Sequence, residues 1–145
     1  MGFFEPNLMK YFTIKELCES NTAHQRGIEN DPTPEVKRNL TALVDNVLDP
    51  LRTAWGKPIT VTSGYRCDAL NKAVGGVASS QHRYGQAADL DVGTRADNMK
   101  LFNLIQELKL PFDQLLFEKG NKSVGPDWVH VSYSPRNRRE VKYIS

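Results

Sequence analysis

The chain has 145 residues, 39% hydrophobic and 25% charged, and its 19 Lys and Arg against 17 Asp and Glu leave a formal net charge of +2. That length suits one domain with one sizeable core, and a composition with six Phe, five Tyr and two Trp excludes an intrinsically disordered chain. No stretch reaches the roughly 18 apolar residues of a membrane span, so no membrane span is expected.

The opening MGFFEPNLMKYF lacks a charged region followed by a long apolar run, so no signal peptide is visible and the expectation is a cytoplasmic protein only until it is released or exported. Pro6 stands where a myristoylation site at Gly2 would need Ser or Thr. Thr13, three residues before Glu16, forms a capping-box pattern that predicts a short helix from Ile14 to near Asn21, with a loop at RGIENDPTP. Pro34 suits a first helical turn. Val36, Leu40, Leu43, Val44, Val47, Leu48 and Leu51 then recur at helical spacing, which predicts the strongest helix of the chain. Pro50 should kink or end it, with a last turn to Trp55 and a stop at Gly56.

A β-branched run predicts a strand from Ile59 to about Thr62, and DALNKAVGG two helical turns closed by Gly75 and Gly76. QAADLDV alternates, placing Ala87, Asp89 and Asp91 on one face of a strand and Ala88, Leu90 and Val92 on the other. Thr94 and Asp97 cap a helix running through Leu101, Leu104, Ile105 and Leu108 to Pro111. QLLFE and DWVHVSY read as strands joined by the polar KGNKSVGP, and EVKYI as an edge strand. Helices first and strands later give an α+β class: a small, mainly antiparallel central sheet with flanking helices.

The stretch SSQHRYGQAADLDVG holds one of three histidines and two carboxylates among apolar neighbours. A buried carboxylate is costly unless paired or metal-bound, so the stretch reads as a site. His82 and Asp89 flank Gly85, where the chain can turn sharply, and His130 alternates with Trp128 and Ser132 on a later strand. Two imidazoles and one carboxylate with a fourth position free are the donor set of a catalytic zinc site. Spacing does not separate Asp89 from Asp91. Asp127, three residues before His130, is a candidate base if it leans over the metal from the strand mouth, since amide hydrolysis needs a group that takes a proton from water and returns it to the leaving amine. His24 has no ligand signal around it, and Cys18 and Cys67 lack the spacing of a disulfide framework or zinc knuckle. Arg136, Arg138, Arg139 and Lys142 gather near the C-terminus without interleaved aromatics, so they read as a solvated face and no nucleic-acid partner is expected.

The pattern S-x-H-x-x-G-x-A-x-D, here Ser80 to Asp89, followed by Asp127-Trp128-Val129-His130, resembles peptidase family M15, the zinc D-Ala-D-Ala carboxypeptidases and L,D-endopeptidases, and within it the short single-domain branch of bacteria and phages. VTSGYRC, ALNKAVGGVASSQH, GQAADL and WVHVSY all take part, so the resemblance spans nearly the whole chain. It implies one zinc per chain on His82, Asp89 and His130, thereby favouring Asp89 over Asp91. It also implies Asp127 as the catalytic carboxylate where many members carry Glu, Arg66 as the group that steadies the substrate carbonyl, and Ser80 and Gln81 lining the substrate side. Cys67 stands where a small polar residue is usual and receives no chemistry.

The implied fold is the α+β scaffold shared with DD-peptidases and the zinc domain of hedgehog proteins: one zinc peptidase domain over residues 1–145, with residues 1–33 as a helical and loop extension packed on it. The implied activity is hydrolysis of a peptide bond in peptidoglycan stem peptides by a monomer that leaves the cytoplasm by release or export to the cell wall. Arg66 and Arg83 are the cations nearest the motif and no long insertion offers a lid, so an open groove and endopeptidase action are expected over carboxypeptidase action. The rival is a non-catalytic zinc-containing module for cell-wall binding or signalling, because fold does not fix function.

Overall fold

A computed structural model of the chain describes residues 9–145; the readings on a leader and on Gly2 lie outside the described residues. Helix α1 (Ile14–Cys18) starts where Thr13 Oγ1 accepts the backbone N–H of Glu16 at 3.0 Å. It does not reach Asn21. Glu19 and Ser20 are extended, and the Ser20 hydroxyl accepts from Ala23 N to begin a second short helix, α2 (Asn21–Arg26), which the sequence reading does not anticipate. A serine that can satisfy a free helical N–H restarts the helix one turn on.

The long apolar stripe forms α3 (Pro34–Leu43), a widened π turn (Val44–Leu48) and α4 (Asp49–Trp55), closed by Gly56 in the left-handed region. Pro50 thus neither ends nor interrupts the helical run. It lacks an N–H and crowds the carbonyl four residues earlier, and the wide turn immediately before it relieves both problems. All seven stripe residues are buried.

Five strands, β1 (Thr60–Ser63), β2 (Ala87–Asp91), β3 (Gln114–Glu118), β4 (Trp128–Ser132) and β5 (Glu140–Ile144), form one sheet in the order β1-β2-β4-β3-β5. Three pairings are antiparallel and β5 joins β3 in parallel, so the sheet is mixed and mainly antiparallel in an α+β fold. Helices α5 (Asp68–Ala73) and α6 (Arg95–Glu107) and a single 3-10 turn (Gln81–Tyr84) complete the elements. The two-residue period of the strands divides the sheet. Ala88, Leu90, Leu115, Phe117, Val129 and Val131 pack with the helical stripe and with Leu101, Phe102 and Ile105 of α6. Each such aliphatic or aromatic side chain stabilises the fold by roughly 1.5–3 kcal/mol when fully buried. The other face carries Asp89, Gln114, Leu116, Glu118, Trp128 and His130, and it is here that chemistry is possible. Phe12 and Leu17 of the N-terminal region are buried in the same core.

Candidate metal centre

His82, Asp89 and His130 each offer a ligand atom, and these atoms all lie within 4.8 Å of one another. Asp89 and His130 are direct partners across β2 and β4, so the antiparallel register alone brings two of the three together. The Asp89 carboxylate lies 3.0 Å from His130 Nδ1 and 3.4 Å from His82 Nε2. Both histidines are buried. Burial alone would raise the Asp89 carboxyl, but hydrogen bonds and positive charge from the two imidazoles reverse this and hold it well below the usual carboxylate range.

The third ligand comes from the 3-10 turn. Ser80 Oγ accepts the His82 N–H at 3.2 Å to start the turn, and Gly85 ends it at φ 72°. A β-carbon on Gly85 would meet Val36 and its carbonyl at 2.9 Å, so the position requires glycine both for its backbone and for its packing on α3. His82 Nδ1 lies 2.7 Å from the Gly64 carbonyl oxygen. A carbonyl only accepts, so Nδ1 must carry the proton, leaving the Nε2 lone pair free for a metal. Gly64 in turn sits against the Leu17 carbonyl with no room for a side chain, and the Leu17 carbonyl accepts from Tyr65 N at 2.8 Å. His82 is therefore oriented by the strand end that α1 braces.

The triad lies in a cleft of about 540 Å³ lined by Arg66, Ser80, Gln81, Glu118 and Trp128 among others. Arg66 is half-buried, its Nε has no hydrogen-bond partner among the described residues, and its backbone N–H donates to the His82 carbonyl at 3.0 Å. Burial draws its pKa down while the charge of Asp89 opposes this. Gln81 donates to Asp113 at 2.9 Å, and its own carbonyl oxygen is buried without a partner, as is Trp128 Nε1.

Not every residue singled out in the sequence reaches the cleft. Asp91 turns away: its Oδ1 accepts from Gly93 N and from Asn98 of α6, which resolves the choice that spacing left open. Asp127 is absent from the cleft lining, and its Oδ1 accepts from Arg95 Nε at 2.8 Å at the molecular surface. Arg83 is also turned outward, toward Asp68 and the Ala78 carbonyl. His24 is exposed, and both cysteines are free thiols. Burial, reinforced by Asp31 and Glu19, pushes the Cys18 thiol up to about 11, so it is protonated at neutral pH.

Residues not singled out in the sequence also line the cleft. Glu118 pairs with Trp128 across β3 and β4, facing the cleft, and burial raises its carboxyl above the usual range, with His130 opposing. Arg136 and Arg138 line the end of the cleft near Gln114. The alternation of QLLFE hints that Gln114, Leu116 and Glu118 share a face, but only the pairing with WVHVS shows that this face is the one with the histidines.

The profile of the family described as Peptidase M15 matches residues 10–132. Over 85 residues, 58% of this chain, the sequence is 38% identical to the zinc D-Ala-D-Ala carboxypeptidase of Streptomyces albus G. The matched part is 32% of that protein, so the chain spans about a third of the length of this curated relative.

Proposed function

Because the chain belongs to the M15 peptidase family, we propose that it is a zinc-dependent peptidase that hydrolyses a peptide bond in the stem peptides of bacterial peptidoglycan. The observation that carries this reading is the triad itself. Tetrahedral zinc with bonds of about 2.0–2.2 Å to nitrogen and oxygen separates its ligands by roughly 3.3–3.6 Å. The 3.4 Å and 3.0 Å separations around Asp89 are close to such edges, and the donor set leaves one position free.

When bound there, zinc would polarise the scissile carbonyl and make a water more acidic. The remaining work falls to side chains. Arg66 lines the cleft, and its guanidinium is suited to donate to the carbonyl oxygen as negative charge develops on it. A structural metal would need no such group, which favours hydrolysis over the binding-module alternative. Ser80 shapes the His82 turn, and Gln81 lines the cleft while its amide holds Asp113.

Asp127 is the proposed proton acceptor and donor. Its ion pair with Arg95 joins two side chains 37% and 52% exposed, and such a pair is worth about 0–1 kcal/mol, so a turn toward the cleft costs little. One observation favours a second reading: Glu118 already lines the cleft, and burial raises its carboxyl above the usual range, the direction that suits a proton-transferring group. Replacing each in turn, with zinc content measured alongside, separates them. Asp127→Ala is expected to keep zinc and lose roughly two to four orders of magnitude in peptidoglycan hydrolysis. The same loss in Glu118→Gln, with Asp127→Ala fully active, would transfer the role to Glu118.

The short connection between β3 and β4 offers no lid over the cleft, which supports endopeptidase over carboxypeptidase action. Products identified by mass distinguish the two. The proposed setting is the cell wall, reached from the cytoplasm by release or export, and the proposed active unit is the monomer, since every group invoked comes from one chain. No helix among the described residues is long and apolar enough to cross a membrane.

A further inference from the structure

Arg136 and Arg138 stand beyond residue 132, where the family match ends, yet both side chains line the metal cleft. We propose that these two arginines form an anion-binding subsite that takes a free carboxylate of the bound peptide. The binding surface stands on its own geometry; the choice of a peptide as its ligand rests on the peptidase reading.

The first argument is how the arginines are held. Asp113 is fully buried at the end of the sheet. Its carboxylate accepts from Arg138 Nε, Arg138 Nη2, the Arg138 backbone N–H and Gln81 Nε2, each at 2.9 Å. A guanidinium gripped from behind at two nitrogens is fixed in orientation, and its remaining N–H groups are aimed without further loss of entropy. Arg138 Nη1 stands 3.7 Å from Glu140, too far for a hydrogen bond. Arg136 is freer still: its Nη2 lies 3.5 Å from Asp113 and 61% of its side chain is exposed. Five donors on a planar fork match a carboxylate, and here most of one fork and part of another face the cleft.

The second argument is position. Leu116 is the direct partner of His130, and Gln114 lies two residues back along β3, opposite Glu140 of β5. Two residues of strand span roughly 6.6 Å. The arginines therefore stand at the Gln114 end of the cleft, on the far side of β3 from His130. Two residues the other way, Glu118 and Trp128 close the opposite end with a carboxylate and an indole. The cleft is thus polarised along its length.

The third argument is the charge balance. Around the arginine end stand Arg136, Arg138 and Lys142 against Asp113 and Glu140. Asp113 is buried away from a ligand, and Glu140 is engaged by Gln114 at 2.6 Å and by Lys142 at 3.5 Å. What a ligand meets is positive. Gln81 ties this end to the metal-binding turn, since its amide shares Asp113 with Arg138 while the next residue is the ligand His82. The carboxylate could be the chain terminus of the peptide or a side group next to the scissile bond; both present the same chemistry.

Equilibrium binding to three stem-type peptides tests this, using zinc-loaded protein in which Asp127→Ala and Glu118→Gln remove hydrolysis from the chains with native and with replaced arginines alike, and mass analysis confirms that each peptide stays intact. One carries free terminal and side carboxylates, one has the terminal carboxylate amidated and one the side carboxylate amidated. The chain with native arginines is expected to bind the free acid at least about tenfold more tightly than one of the amides, the scale of one charge-assisted hydrogen bond, and that amide identifies which carboxylate is read. Arg136→Gln, at an exposed position, should abolish the preference without changing zinc content. Arg138→Lys keeps a charge for Asp113 but loses the fork, and should weaken the preference in part. Equal binding of acid and both amides by the chain with native arginines, or a preference that survives Arg136→Gln, would overturn the subsite. Absence of any cleavage in parallel digests with the wild-type chain, with the acid preference intact, would instead break the peptidase reading and leave the subsite standing.

Discussion

Asp89 within the sheet and Asp113 at its end are both enclosed carboxylates held well below the usual carboxylate range, but by unlike partners. At Asp113 the hydrogen bonds of Arg138 dominate, opposed by burial and helped by the Arg138 backbone, Gln81 and Ser134. Arg138 keeps its charge at every pH a protein meets, so the cluster is complete as it stands. At Asp89 burial is the largest influence and works against the charge, and only two imidazoles counter it. Those two imidazoles and the carboxylate together offer three ligand atoms to a metal ion, which the Asp113 cluster does not. The first region is a finished brace and the second a socket for a positive ion. Buried charge in this molecule therefore means scaffold where arginine answers it and site where histidine does.

The largest effect expected from this contrast is on stability at Asp113. Asp113→Ala removes the buried acceptor of four hydrogen bonds and should cost about 3 kcal/mol, the low end for breaking a buried pair because Arg138 can turn to water. Denaturant unfolding of the zinc-free protein measures it. Asp89→Ala under the same conditions should cost less, since it removes the acceptor of two imidazole contacts rather than of four hydrogen bonds. Equal losses would erase the distinction.

Zinc should reverse the ranking. At a free zinc concentration a hundred times Kd, wild type should gain about 2.7 kcal/mol of stability, Asp113→Ala should gain a similar amount, and Asp89→Ala should gain almost none. Thermal melts with and without a chelator check this.

A smaller effect sharpens the account of the socket. Gly64→Ala forces a methyl group against the Leu17 carbonyl and shifts the oxygen that holds His82 Nδ1. Overpacking of this kind costs typically 1–3 kcal/mol, and loss of such an orienting contact weakens metal affinity about 10–100-fold. Competition with a zinc-binding dye reads the affinity.

The smallest is a pH effect. The folded pKa of Asp113 lies below its unfolded value of about 3.9, so its contribution is full above that value and is lost as pH falls through the folded one. Zinc-free wild type should lose its advantage over Asp113→Asn progressively as pH drops from about 5 toward 2. A constant difference over that window would contradict the pairing.

How far these regions are legible in the sequence differs for the same physical reason that separates them. His82, Asp89 and Gly85 lie within one short stretch, and histidine with aspartate among apolar residues has few structural uses, so the socket can be read locally. So can the helical run from Pro34 to Trp55, whose apolar stripe is a matter of spacing, although the widened turn that admits Pro50 is not. The choice of Asp89 over Asp91 depends on Asn98, on a separate helix. The brace joins Gln81, Asp113 and Arg138, which are far apart in sequence and ordinary one by one, so the basic tail reads as a solvated face until β5 carries it beside β3. Glu118 is hidden likewise behind strand pairing. Asp127 shows the converse: its spacing from His130 suggests chemistry, while its side chain rests on Arg95 outside the cleft.

The central claim, that His82, Asp89 and His130 make one zinc site, is tested most directly by elemental analysis of purified protein. Wild type and Asp113→Asn should each carry close to one zinc per chain, and His82→Ala should carry almost none. Equal zinc in wild type and His82→Ala would contradict the account.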